Sequence, residues 1–160
     1  MPFFLFEVET SMSNQQLVEV LKSSTTKLNW VGIPKTSAPF TGIVFENGFR
    51  ILRIVSGRDS FNPVLFGRFL GSARGIRIRV LMTYHPIVWL LMSAWTAYIG
   101  YSFFTSLRIN GYTDGLPLEF LFLIAPWAIG IPFFFFDALK SKELFLRVIN
   151  STGSPERGGA

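Results

Sequence analysis

The chain contains no cysteine and a single histidine, His85. Disulfide staples and thiolate metal sites are thereby excluded, and no multi-histidine cluster can form. The ten Asp and Glu are scattered along 160 residues, so no carboxylate metal set stands out, and neither metal nor cofactor is expected. Charge of either sign is scarce: 16% of residues are Asp, Glu, Lys or Arg, against about 25% in a soluble globular domain. The shortfall sits in two uncharged blocks, and 18 phenylalanines deepen the apolar bias. That pattern marks a membrane protein rather than a greasy soluble one. The opening MPFFLFEVETSMSNQQ has no basic start and meets Glu7 and Glu9 at once. It reads as a first strand rather than a secretory signal, which needs a positive start and about 7–15 apolar residues.

The first block, residues 86–107, carries no formal charge over 22 residues. As a helix it is about 33 Å long, enough for a hydrocarbon core of about 30 Å. The second, LPLEFLFLIAPWAIGIPFFFFDALK at 116–140, is uncharged from Phe120 to Phe136. Pro117 suits the first turn of a helix, while Pro126 and Pro132 are interior and predict a kinked span or, alternatively, a re-entrant pair of half-helices. SLRINGYTDG, 106–115, is short enough to demand an antiparallel helical hairpin. Arg68, Arg74, Arg77 and Arg79 precede the first span, Lys140, Lys142 and Arg147 follow the second, and the connection holds only Arg108. The positive-inside rule therefore places both termini in the cytoplasm.

The segment before the membrane reads as β-α-loop-β-β-β-β. Ser13 and Gln16 have capping-box spacing for a helix over 14–23, GIPKTSAP is a loop, and Asn47-Gly48 between two β-prone runs predicts a type I′ hairpin. GRDSFNPV reads as a second turn, and Gly67 inside VLFGRFLG suggests a bulge. The expected fold class is α+β: a small, mostly antiparallel sheet domain with one helix, fused to a transmembrane hairpin and a short C-terminal amphipathic helix. The corresponding divisions are 1–83, 84–136 with spans near 86–107 and 117–136, 137–150 and a flexible tail at 151–160. With so little apolar material, the sheet should rest one face on the helix, the membrane or another subunit.

From Phe40 onward, FTGIVFENGFRILRI, RDSFNPVLFGRF, GIRIRVLMTYHPIVWLLMSAW and DALKSKELFLRVI together resemble a family of small bacterial two-helix membrane proteins with an N-terminal cytoplasmic β-rich domain. The resemblance covers most of 40–150 and implies this architecture in a bacterial inner membrane. It implies no particular chemistry, and the residues before Pro39 depart most from it.

Arg77 and Arg79 share one strand face, with Arg74 just before them and Arg68 nearby, while Ile76, Ile78 and Val80 take the other. This basic row suits anionic headgroups or an acidic protein; the plainer reading is a topology signal. Residues 1–80 hold ten Lys/Arg against five Asp/Glu, but no nucleic-acid reading motif accompanies them, and nucleic acid is not an expected partner. His85, at the boundary of strand and span, is a candidate interfacial switch or simply a polar anchor with Pro86 opening the helix. Glu119 and Asp137 are candidate ion-path residues; Glu119 also suits a first-turn helix-dipole role, and Asp137 marks the membrane exit. Ser93, Ala97 and Gly100 in the first span, with Ala125 and Gly130 in the second, offer small faces for helix packing within the hairpin or between copies. No catalytic constellation is expected. The leading expectation is a non-enzymatic membrane protein whose cytoplasmic domain binds a protein partner or anionic lipid. An oligomeric channel or transport component and a lipid-acting membrane enzyme are the rivals.

Overall fold

The computed structural model describes residues 2–27, 37–55, 62–72, 75–110 and 118–153. In chain order the elements are β1 (Phe3–Thr10), α1 (Asn14–Ser23), β2 (Thr25–Thr26), β3 (Phe40–Phe45), β4 (Gly48–Arg53), β5 (Val64–Ser72), β6 (Gly75–Thr83), α2 (Pro86–Asn110) and α3 (Leu118–Gly153). One six-stranded sheet has the order β1-β6-β5-β4-β3-β2. Strands β3 to β6 form an antiparallel meander, β1 closes antiparallel on β6, and the short β2 joins β3 in parallel. The mostly antiparallel sheet with one helix agrees with the sequence reading. The turn 56–61 and most of the loop before Ala38 lie outside the described residues.

Period-two alternation explains the sheet. In β6, Ile78, Val80 and Met82 are buried while Arg77, Arg79 and Leu81 point outward. Helix α1 starts where its capping box requires: the Ser13 hydroxyl accepts from the Gln16 amide at 3.3 Å, and Gln16 Oε1 accepts from the Ser13 amide at 2.9 Å. It buries Leu17, Val18 and Leu21.

Two turn-chemistry expectations are corrected. The β3–β4 turn is centred on Glu46–Asn47, because Phe45 pairs with Gly48, and neither Asn47 nor Gly48 has a positive φ. A type I′ turn is therefore ruled out. Tertiary bonds set this turn: the Asn47 carbonyl accepts from the Phe69 amide at 3.0 Å, and the Glu46 carbonyl accepts from Asn14 Nδ2 at 3.0 Å. Nor does Gly67 mark a bulge, since β5 pairs in unbroken register with both neighbours. A Cβ there would lie 2.1 Å from the Phe49 ring, so the glycine makes room for an aromatic residue on the adjacent strand.

The largest correction concerns the C-terminal segment. No separate amphipathic helix begins at 137; α3 runs unbroken for 36 residues, through Pro126 and Pro132, about 54 Å at 1.5 Å per residue. Phe134, Ala138, Ser141, Phe145 and Ile149 recur at helical spacing, and all are buried. That face lies on the sheet rather than on a membrane surface. Phe145 meets Phe49 at 5.3 Å, Phe6 at 6.1 Å and Phe40 at 6.4 Å between ring centroids. Leu139, on the other side of the helix, is exposed.

Replacing Phe145 by Ala should cost about 3–5 kcal/mol, the usual loss for truncating a buried Phe. Leu139→Ala should cost under about 0.5 kcal/mol. Thermal unfolding in detergent or nanodiscs checks both; equal effects would contradict a sheet-bound α3.

Candidate functional site at the junction of sheet and helices

Two residues separate β6 from α2. The His85 carbonyl accepts from the amides of Val88 at 2.9 Å and Trp89 at 3.3 Å, and its Nδ1 accepts from the Ile87 amide at 3.3 Å. His85 thus caps α2, and Pro86 occupies the first turn, where its missing amide proton costs nothing. The preceding Tyr84 is fully buried. Its hydroxyl donates to the Gly130 carbonyl of α3, and its ring packs edge-on against Phe134 at 4.8 Å. One side chain therefore joins the end of the last strand to the middle of the other long helix.

A second tie lies one turn further along α3. Arg53, ending β4, pairs with Asp137 at 3.0 Å, their side chains 15% and 13% exposed. Asn62 Nδ2 donates to the Arg53 carbonyl. Arg53 Nε, Asn62 Oδ1 and Ser141 Oγ are buried with no hydrogen-bond partner among the described residues. Asp137, a sequence candidate for an ion path, is held in an ion pair with the sheet. Glu119 stands in the first turn of α3, with its side chain outside the described residues.

The two long helices pack side by side and antiparallel. Trp89 meets Trp127, Thr96 meets Trp127 and Phe103 meets Phe120. Pro126 has no amide proton to give the Phe122 carbonyl four residues back. The indole of Trp95 donates to that carbonyl at 3.2 Å, so α2 satisfies the group the proline leaves open. Trp127 Nε1 donates to Thr96 Oγ1 at 3.0 Å, and that hydroxyl donates to the Met92 carbonyl at 2.8 Å. Of the small residues singled out, Gly130 is buried against Met92 and Tyr84, and Gly100 approaches Leu123. Ala125 is partly buried, while Ser93 and Ala97 are exposed and do not form the intrachain contact.

Among the described residues no element covers the sheet face opposite α3, and its register arranges outward residues in rows across the strands. Phe3 lies beside Thr83; next comes Leu5–Leu81–Phe66–Arg50–Ile43, then Glu7–Arg79–Arg68–Gly48–Phe45, then Glu9–Arg77–Leu70. Three of the four predicted arginines, Arg68, Arg77 and Arg79, share this face; Arg74 lies outside the described residues. Arg79 pairs with Glu7 at 2.7 Å and Arg77 with Glu9 at 2.8 Å. The sequence reading missed this ladder because only the β1–β6 pairing puts those acids opposite those arginines. Arg50 shares the face too, its guanidinium 5.4 Å from the Phe66 ring centroid. Large apolar side chains accompany them: Phe3 is 62%, Leu5 53%, Ile43 56% and Phe45 55% exposed.

Helices α2 and α3 are each long and apolar enough to cross a membrane, and only 6% and 17% of their most apolar stretches are buried within the chain. A core helix of a soluble protein is mostly buried, so these two belong to a membrane-associated protein with a β-rich domain. Among the described residues no cluster of His, Asp and Glu could hold a metal ion. Comparison with family models, curated proteins and solved structures finds no match. What stands of the resemblance drawn from the sequence is this architecture, without a family or a source.

Truncating Asp137 to Ala would leave Arg53 as an unpaired, mostly buried charge and should cost about 3–5 kcal/mol. A joint Arg53→Met and Asp137→Leu replacement should recover most of that loss. A double-mutant cycle by chemical denaturation in mixed micelles checks it; additive effects would show the two groups to be uncoupled.

Proposed function

We propose that this chain is a non-enzymatic integral membrane protein, with α2 and the first half of α3 spanning as a hairpin. The sheet domain then serves as a docking module at the membrane surface. The basic flanks place both termini on the cytoplasmic side, and the sequence resemblance suggests a bacterial inner membrane.

The observation carrying this reading is the open sheet face, with large exposed apolar residues beside Arg50 and Arg68. An apolar patch bordered by charge is the usual mark of an interaction surface. Geometry favours protein over lipid as the ligand. Contacts of α3 step from Tyr84 and Arg53 at one end of the sheet to Phe6 and Phe49 two rows on, so the helix runs alongside the strands. If α3 leaves the bilayer near Phe136, the sheet stands on end with the Phe3–Thr83 row nearest the lipid. Successive rows are about 7 Å apart, and the headgroup layer is about 5–8 Å deep. Arg50 then lies about 7 Å from the first row, within reach of lipid phosphates, while Arg68 and Arg79 lie about 14 Å away, beyond easy reach. A protein beside the domain meets the whole face.

A photoreactive amino acid at Ile43 should form protein adducts in native membranes, while one at Leu139 should not. Joint Arg50→Glu and Arg68→Glu replacement should reduce the Ile43 adducts several-fold. Adducts confined to lipid, or none, would overturn the protein-docking account.

A further inference from the structure

We infer that the membrane-proximal foot of the sheet domain binds anionic phospholipid headgroups through Lys140, Lys142 and Arg50. The inference rests on the membrane-hairpin reading above and is separate from what docks on the sheet face. Each of these cations lies over an aromatic ring. Lys140 Nζ is 3.9 Å from the Phe136 centroid, Lys142 Nζ is 5.4 Å from that of Phe6 and 5.7 Å from that of Phe4, and the Arg50 guanidinium is 5.4 Å from that of Phe66. A ring face holds a cation in place without neutralising it, so the N–H donors stay available to phosphate oxygens. Among the described residues no salt bridge reaches any of them, while Glu7, Glu9, Asp137 and Glu143 are each held by another arginine.

The fold brings these residues, scattered in sequence, to one height. Lys140 stands about one helical turn beyond Phe136, and its side chain folds back onto that ring, so its ammonium sits at the bilayer boundary. Phe4 and Phe6 follow Phe3 down β1, which puts the Lys142 ammonium about 7 Å from the first row of the sheet. Arg50 is at about the same distance, so all lie within a headgroup layer about 5–8 Å deep. They also point to different sides. Arg50 is on the outer face of the sheet, and Lys140 and Lys142 flank α3 about 200° apart around its axis. A protein partner would engage one of those sides, whereas the phosphates of a lipid shell surround the domain on all of them. Topology alone asks only for basic residues near a span; it does not ask for rings that hold them at phosphate height.

The full chain in phosphatidylcholine vesicles provides the test, with traces of spin-labelled phosphatidylglycerol or phosphatidylcholine as probes. The motionally restricted fraction, read by electron paramagnetic resonance, should favour phosphatidylglycerol several-fold, and salt should weaken that preference. Joint Lys140→Gln, Lys142→Gln and Arg50→Gln replacement should bring the two lipids close to parity. Lys140→Gln alone, at an exposed position, should lower the preference even if the triple variant folds poorly. Arg68→Gln removes an equal charge about 14 Å from the first row and should keep the wild-type preference. Equal restriction of both lipids by wild type would overturn the lipid site, as would a preference that Arg68→Gln lowers as much as Lys140→Gln does. If the chain then still resists alkaline carbonate extraction, the hairpin reading stands; release into the wash would remove both.

Discussion

A single 36-residue helix has to satisfy two solvents. The first half of α3 offers Leu121, Phe122, Ile124, Ile129 and Phe133 outward, away from the rest of the described chain, as suits a helix facing lipid. Its second half lays Phe134, Ala138, Phe145 and Ile149 into the core of the sheet. Without that half, the ten-residue α1 would be the only described helix on the sheet's inner face, and a domain of about 80 residues has little apolar surface to spare. The membrane helix thus completes the core of the domain beyond the membrane. Sheet and helices form one folding problem, in which α3 is shared.

The same sharing governs the polar groups near the junction. Lipid offers no water to unpaired backbone groups, so the carbonyl that Pro126 strands needs a partner from elsewhere in the chain. Trp95 serves the carbonyl stranded by Pro126, Tyr84 reaches the Gly130 carbonyl, and Arg53 meets Asp137 just beyond the last phenylalanine. These ties come from α2, from the joint after β6 and from β4. Their common effect is to fix α3 against three other elements. The two-residue link between β6 and α2 alone would not impose that restriction.

Features governed by local chemistry were legible in the sequence: the capping box at Ser13, the alternation of β6, Pro86 opening α2 and the two long uncharged runs. Features decided by distant partners were not. The β3–β4 turn yields to bonds from Phe69 and Asn14, and Gly67 is explained only by Phe49 on the next strand. Asp137 read as a marker of the membrane exit or an ion-path residue because Arg53, its ion-pair partner inside a continuous helix, lies 84 residues away in sequence. The basic row was legible as a face, but its acids were not assigned to it. Pairing β1 with β6 joins the first strand to the last, and no short-range signal specifies that closure.

That closure changes the meaning of the arginines. Four exposed charges in two facing pairs contribute little to stability, since each exposed pair is worth about 0–1 kcal/mol. Their effect is to leave the β1 end of the face near neutrality while Arg50 and Arg68 keep the opposite side positive. A uniformly basic wall would repel its own copy and favour anionic lipid or an acidic partner. The β1–β6 pairing therefore converts what reads in sequence as a topology signal into a surface with two directions of asymmetry.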